Sequence, residues 1–334
     1  MKKIEARILA EMPQNAQCDP ADKAPHDDLR VLVGQRVDAG ADRSFPFRVT
    51  AHVLGQVRDW QGGDPVLGQF LPVAEENRKV PGFGTDPVGD LAARKQPALL
   101  QKYAGRALLM VTGRCAVHCR YCFRRHFPYD AGLLDEPGIE QALAPVQGDP
   151  SITEVILSGG DPLILSSRRW VQLVRRIEAI GHVRRLRIHS RVPTVLPDHL
   201  DDGHFAALAE SRLRVVLVAH VNHPDELDDK SRAVFEAFSR AGVTCLNQSV
   251  LLAGVNDRVD VLARLSEALF DQGVLPYYLH QLDQVAGAAH FEVPVAVGCQ
   301  LVKALRARLP GYLVPRYVFE EAGAPAKTPI DCSG

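Results

Sequence analysis

The chain has 334 residues, 46% hydrophobic and 24% charged, a composition that supports a sizeable core and either one large α/β barrel or two ordinary domains. Its 39 basic and 40 acidic side chains leave a formal net charge of −1, so no global field favours nucleic acid or a membrane surface. Lys2 and Lys3 could open a signal peptide, but Glu5, Arg7 and Glu11 interrupt any apolar run, no stretch approaches the length of a membrane span, and the protein is expected in the cytoplasm.

Residues 1–98 carry no settled period. The alternation at Phe45-Pro-Phe-Arg-Val-Thr50 does not continue into βα units, and Pro, Gly and Asp are frequent from Gln61 to Pro97. A mainly helical, loop-rich N-terminal region is expected there. Beyond it the rhythm changes. Short apolar runs predict strands at Ala107–Thr112, Glu154–Ser158, Arg185–His189, Arg214–Ala219, Val243–Val250 and Leu275–His280. Pro276 pushes the last of these to an edge or a late start. Apolar residues at helical spacing predict helices over Arg169–Ala179, Phe205–Leu213, Lys230–Arg240, Val259–Asp271 and Val297–Leu309. Strand–helix alternation argues for a parallel α/β sheet, and six units for a partial, TIM-like (β/α)6 barrel with its chemistry at the C-terminal strand ends. The expected division is an N-terminal region (1–98), a core barrel (99–315) and a C-terminal segment (316–334) packed on the barrel.

The first strand runs into a loop carrying Cys115, Cys119 and Cys122 as C-x3-C-x2-C, with Tyr121 before the last. Three thiolates on a short loop can bind three irons of a four-iron cluster and leave the fourth iron open to another ligand. The rival is a zinc site recruiting His118. It would be cramped, because His118 and Cys119 are adjacent, and it lacks a second ligand pair. Cys18, Cys245, Cys299 and Cys332 are scattered and read as buried or incidental. The odd count and the clustering argue against a disulfide framework.

Other polar groups follow later strands. Ser158-Gly-Gly-Asp-Pro-Leu163 lets backbone approach a ligand closely, or simply makes a tight turn, with Asp161 as a cap or orienting group. Arg191 suits an anion at a strand end, or a surface ion pair. His220, Asn222 and His223, with Asn247 and Gln248, read as polar groups around a cofactor, or as a second metal site. Lys327 lies between Gly/Pro-rich flanks that fix the backbone. A lysine amine can form a Schiff base with pyridoxal 5′-phosphate (PLP).

C-x3-C-x-aromatic-C resembles the cluster motif of the radical S-adenosyl-L-methionine (SAM) superfamily. That resemblance implies a [4Fe–4S] cluster whose open iron chelates SAM, and a 5′-deoxyadenosyl radical. Ser158, Gly159, Gly160 and Asp161 resemble the turn that receives the amino group of SAM, near Tyr121. Over roughly residues 95–330 the chain is similar to the lysine 2,3-aminomutase family, most of all to the short bacterial branch that supplies (R)-β-lysine for modifying elongation factor P. The stretches that carry this are Lys102-Tyr103-Ala-Gly-Arg106, Cys115 to Tyr129, Ser158 to Leu163, Arg191-Val-Pro193, His220 to Pro224 and Asn247 to Asp257. The resemblance implies PLP bound to Lys327 as the catalytic lysine. Tyr103 and Arg191 would contact PLP, with Lys102 and Arg106 nearby. Arg124 would grip the substrate carboxylate, and Asp283 would face the distal ammonium. Glu320 stands where longer members of the family have a second substrate-facing aspartate. The implied partners are free L-lysine, a reductant such as flavodoxin or ferredoxin, and a ligase that charges elongation factor P. The alternatives are an aminomutase for another amino acid, such as glutamate or arginine, a radical SAM enzyme without PLP, and a zinc-dependent binding module.

Overall fold

In the computed structural model, which describes residues 36–60, 63–129 and 136–333, ten strands form one sheet in strict chain order. β1 (Arg94–Gln96) and β2 (Leu99–Leu100) are antiparallel to each other, and β2 is antiparallel to β3 (Arg106–Thr112). From β3 every pairing is parallel, through β4 (Glu154–Gly159), β5 (Arg185–Ser190), β6 (Arg214–Ala219), β7 (Thr244–Val250) and β8 (Leu275–His280) to β9 (Arg316–Phe319). β10 (Thr328–Pro329) returns antiparallel to β9. β1 and β10 are the two edges, so the sheet is open and the barrel partial.

Parallel neighbours need a crossover, and a helix supplies it with one apolar face for the sheet. Helices Glu136–Gly148, Ser167–Glu178, Asp202–Ala209, Asp229–Arg240, Val259–Asp271 and Val295–Arg308 join successive strands from β3 to β9. In Ser167–Glu178 the buried face is Trp170, Leu173, Val174 and Ile177, at helical spacing. Asp228 starts Asp229–Arg240 by accepting from the Ser231 N–H at 2.9 Å. The main core lies between these helices and the sheet, with Leu157, Leu186 and Leu217 packed among Trp170, Phe235 and Phe238. A second cluster joins Phe47, Leu67 and Phe70 to Val117 of the cysteine loop and to Val195. The N-terminal region therefore backs the loop that carries the thiols. No described helix is long and apolar enough to cross a membrane.

The six expected strands are present within a residue or so. Four features differ. β9 adds a seventh parallel strand, and β1 and β10 belong to the same sheet, so the sheet runs across both expected boundaries, at 98/99 and at 315/316. β8 is interior, not an edge: its ladder absorbs Pro276 by a register shift, with Asn247 opposite Pro276 and Gln248 opposite Tyr278. Helix Glu136–Gly148 has no counterpart in the sequence expectation. Finally, Cys299 and Cys332 form a disulfide, against the expectation of reduced, unpaired thiols. It ties helix Val295–Arg308 to the chain just beyond β10, and spacing alone could not have paired them. Cys18 lies outside the described residues.

Candidate active site

The parallel register sends the C-terminal ends of β3 to β9 to one side, where they surround a cavity of about 320 Å³. The cysteine loop follows β3, the glycine turn follows β4, and Arg191 and His220 follow β5 and β6. Asp283 follows β8, Glu320 follows β9, and Lys327 immediately precedes β10. Cys115, Cys119, Cys122, Tyr103, Tyr121, Arg124, Ser158, Gly159, Gly160, Asp161, Arg191, Asp283, Glu320 and Lys327 all line this one cavity, as do His220 and Gln248, whereas Asn222, His223 and Asn247, read from sequence as polar groups around a cofactor, do not.

The cysteine loop is fixed from outside the barrel. Arg120 and Arg125, both buried, share Glu76 at 2.7 and 2.8 Å, and the Arg120 N–H donates to the Gln69 carbonyl. Burial pushes the Cys115 thiol well up and the Cys122 thiol up to about 11. Binding a metal would therefore displace protons. His118 is turned away from the cysteines: its Nδ1 lies 2.7 Å from the Pro46 carbonyl and its ring stacks on Phe45. Among the described residues, no three His, Cys, Asp or Glu side chains converge as ligands of a single metal ion would. Thiolates that each bind a different iron need not converge.

The glycine turn is stacked directly on this loop. The Gly160 N–H donates to the Thr112 carbonyl at 2.6 Å and the Asp161 N–H to the Arg114 carbonyl at 2.8 Å. Gly159 sits at φ +110°, a conformation closed to most side chains. A Cβ at Gly160 would fall 2.1 Å from the Arg114 oxygen. Gly160→Ala therefore forces the turn off the cysteine loop, and the SAM cleavage that the family resemblance implies should fall ~10²-fold, as for a misplacement of about 1 Å. A wild-type rate of 5′-deoxyadenosine formation in that variant would contradict this geometry. Asp161 caps the turn and ties it to the end of β5: its carboxylate accepts from the Leu163 N–H, from Ser190 Oγ and from the Arg191 N–H. Burial raises its pKa.

Arg191 is expected at PLP but is committed elsewhere. Its guanidinium donates to Cys119 Sγ at 2.9 Å, to the Tyr121 hydroxyl and Glu226 at 2.6 Å, and to Gln69 at 2.7 Å. A buried guanidinium needs a counter-charge, and Glu226, itself buried, provides it. Tyr121 is the hub of this group, with Asn222 Nδ2 at 2.6 Å and His220 Nε2 at 2.8 Å from its hydroxyl. Burial, then Arg191, pushes the His220 pKa down to about 3, so the imidazole is neutral. Arg191 thus belongs to the cysteine side of the cavity.

The other side is a string of charges. Arg124 Nε lies 2.6 Å from Asp90, and its NH1 donates to Ser158 Oγ at 2.9 Å. Lys102 bridges Asp90 and Glu320 at 2.6 and 2.8 Å, and Lys327 reaches Glu320 at 2.6 Å. Burial, then repulsion from Glu320, raises the Asp283 carboxyl to about 7. Tyr103 lies under the Arg106 guanidinium, 4.6 Å from its centre, and burial raises its hydroxyl to about 12. Sequence reasoning missed Asp90, Gln69 and Glu226 as parts of the site. Asp90 lies in an aperiodic Pro/Gly/Asp-rich stretch, where nothing separates a buried counter-ion from a turn residue.

Residues 109–265 match the model of the radical SAM superfamily. The chain is 45% identical over 305 residues to the L-lysine 2,3-aminomutase of Escherichia coli (strain K12), covering 91% of this chain and 89% of that protein. It is 41% identical over 320 residues to the L-lysine 2,3-aminomutase of Haemophilus influenzae, covering 94% and 93%. The solved structure of a radical SAM methyltransferase from Sphaerobacter thermophilus covers 66% of this chain and 68% of its own at 18% identity, with a TM-score of 0.46. With identities of this size running over nearly the full length of both partners, and the three cysteines within the matched superfamily region, the chain belongs to the L-lysine 2,3-aminomutase family of the radical SAM superfamily.

Proposed function

We propose that the protein converts L-lysine to β-lysine using a [4Fe–4S] cluster, SAM and PLP. The observation that carries this reading is that one cavity holds the three free thiols, the Lys327 amine, the Arg124 guanidinium and the half-buried Asp283 carboxyl. The residues fit the three groups. Cys115, Cys119 and Cys122 would supply three thiolates for the cluster and leave one iron for SAM. The Ser158–Asp161 turn and Tyr121 lie against that loop. On the other side, Arg106 Nε and the Nε2 atoms of His189 and His280 are buried without a hydrogen-bond partner. Such orphaned polar atoms call for a bound partner, and Arg106 with Tyr103 suits the phosphate of PLP. Bound there, the cluster and SAM supply an adenosyl radical, and PLP holds the migrating nitrogen and delocalises the unpaired electron.

The chain's own residues do the binding and orienting. Asp90 takes the Nε edge of Arg124 and Ser158 takes NH1, which sets the guanidinium plane against the cavity for a carboxylate. Asp283 receives the distal ammonium; a glutamate substrate would bring a carboxylate to that place. The electron is supplied by a flavodoxin- or ferredoxin-type reductant, and the product passes to the ligase that charges elongation factor P. The support for that destination is the likeness to the short bacterial branch.

The test uses norleucine, which lacks the ammonium. Lysine should be turned over far faster. Asp283→Asn should remove roughly 2–5 kcal/mol of transition-state stabilisation for lysine, as for one partner lost from a buried charge pair. The pH dependence has a fixed sign. With its carboxyl raised to about 7 in the free enzyme, Asp283 is neutral below that pH and cannot pair with an ammonium. The apparent affinity for lysine should therefore rise as pH rises through about 7 and level off above it. Norleucine should show no such rise. Equal turnover of the two substrates by the wild-type enzyme would remove Asp283 from the substrate site.

A further inference from the structure

We propose that Glu320, fixed by Lys102 and Asp90, is a positioning residue for Lys327, and that Asp283 alone receives the distal ammonium of the substrate. The inference rests on the PLP reading above and departs from it at Glu320, which the family resemblance assigns to the substrate.

Each oxygen of Glu320 already holds a different ammonium: Oε1 accepts from Lys102 at 2.8 Å and Oε2 from Lys327 at 2.6 Å. Lys102 is held at three points: its ammonium donates to Glu320 and to the Val88 carbonyl, each at 2.8 Å, and forms an ion pair with the Asp90 carboxylate at 2.6 Å. Asp90 is 1% exposed and is held in turn by Arg124. The anchor therefore runs from the buried interior out to Glu320, and only the Lys327 end faces a group that must come and go.

The backbone places the pair together for a local reason. Thr328 pairs with Phe319 across β9 and β10, so Glu320 and Lys327 flank the same end of this hairpin. Their ion pair closes the intervening loop and presents the amine to the cavity. The glutamate arm is long enough to span both lysines.

Charge accounting gives the same division. Asp90 and Glu320 each contact two cations, whereas the Asp283 carboxylate makes no ion pair among the described residues. A third ammonium at Glu320 would meet two like charges. At Asp283 an incoming ammonium meets an unneutralised acid.

The experiment uses the full-length enzyme, purified anaerobically, with PLP added. Borohydride is applied at timed intervals, and pyridoxyl-labelled peptide is measured by mass. Glu320→Gln and Lys102→Met should label Lys327 at least ~10-fold more slowly, as expected for a misplaced amine, and should keep the wild-type preference for lysine over norleucine. Lys102→Arg, which preserves the charge, should restore labelling. Asp283→Asn should do the reverse, labelling normally while the preference collapses. Iron content, read in every variant, reports folding, and Lys102→Met stands in if Glu320→Gln does not fold. Glu320→Gln that labels at the wild-type rate, or that loses the preference for lysine, overturns the proposal. Absence of label on Lys327 in the wild-type enzyme instead overturns the PLP reading on which it rests.

Discussion

Cys119→Ala should abolish SAM cleavage and lose most of the bound iron, and Cys115→Ala and Cys122→Ala should do the same. Two thiolates cannot hold a four-iron cluster with one open iron. The loop has no substitute ligand to offer, since His118 is engaged with Pro46 and stacked on Phe45. The loss should be chemical and not a loss of fold, because the loop is also held by the Arg120–Glu76–Arg125 ion pairs and by Val117 in the N-terminal core. Two other cysteines are the controls. Cys245 is buried on β7 with its thiol pushed up to about 12 by burial, and behaves as a small apolar side chain. Cys299 is tied to Cys332 away from the cavity. Cys245→Ala and Cys299→Ser should keep their iron. Normal SAM cleavage in Cys119→Ala would remove the loop from the cluster.

Lys327→Ala should lose aminomutase turnover and covalently bound PLP together, while iron content and the bare capacity to cleave SAM survive. The two sets of residues occupy different walls of the cavity: the thiols follow β3, and Lys327 stands before β10 at the far edge of the sheet. The variant also disturbs Glu320. Burial would raise that carboxyl, but Lys327 and Lys102 outweigh it and hold it down at about 2. With Lys327 gone, Lys102 alone offsets the burial, so Glu320 should take up a proton at higher pH. Borohydride labelling of a lysine other than Lys327 in the wild-type enzyme would show that the catalytic lysine has been misassigned.

The barrel was legible because its strands are short apolar runs separated by helices of clear period. β9 was not, because Arg316–Phe319 is only four residues long and lies beside the Gly/Pro-rich stretch around Lys327, with no strand period of its own. β1 and β2, of three and two residues, are set by pairing with β3 and carry no periodicity of their own. That the thiols and the glycine turn share one cavity was legible from residue type and local spacing, and the place of Lys327 there from the family resemblance. What was hidden is the set of buried counter-charges: Glu76 beneath the cysteine loop, Glu226 on Arg191, and Asp90 between Arg124 and Lys102. Each pairs with a residue remote in sequence, and an isolated acid gives no sign of which cation it will meet. That is why Arg191, read either as an anion-binding group or as a surface ion pair, proves to be in a buried ion pair with Glu226 and bonded to Cys119.

The most direct test is anaerobic incubation of the wild-type protein with L-lysine, SAM, PLP and a strong one-electron reductant, followed by analysis of the amino-acid products. The account predicts β-lysine, formed only when SAM, PLP and reductant are all present. Cleavage of SAM to 5′-deoxyadenosine with all the lysine recovered unchanged, or β-lysine formed equally well after PLP has been removed, would contradict it.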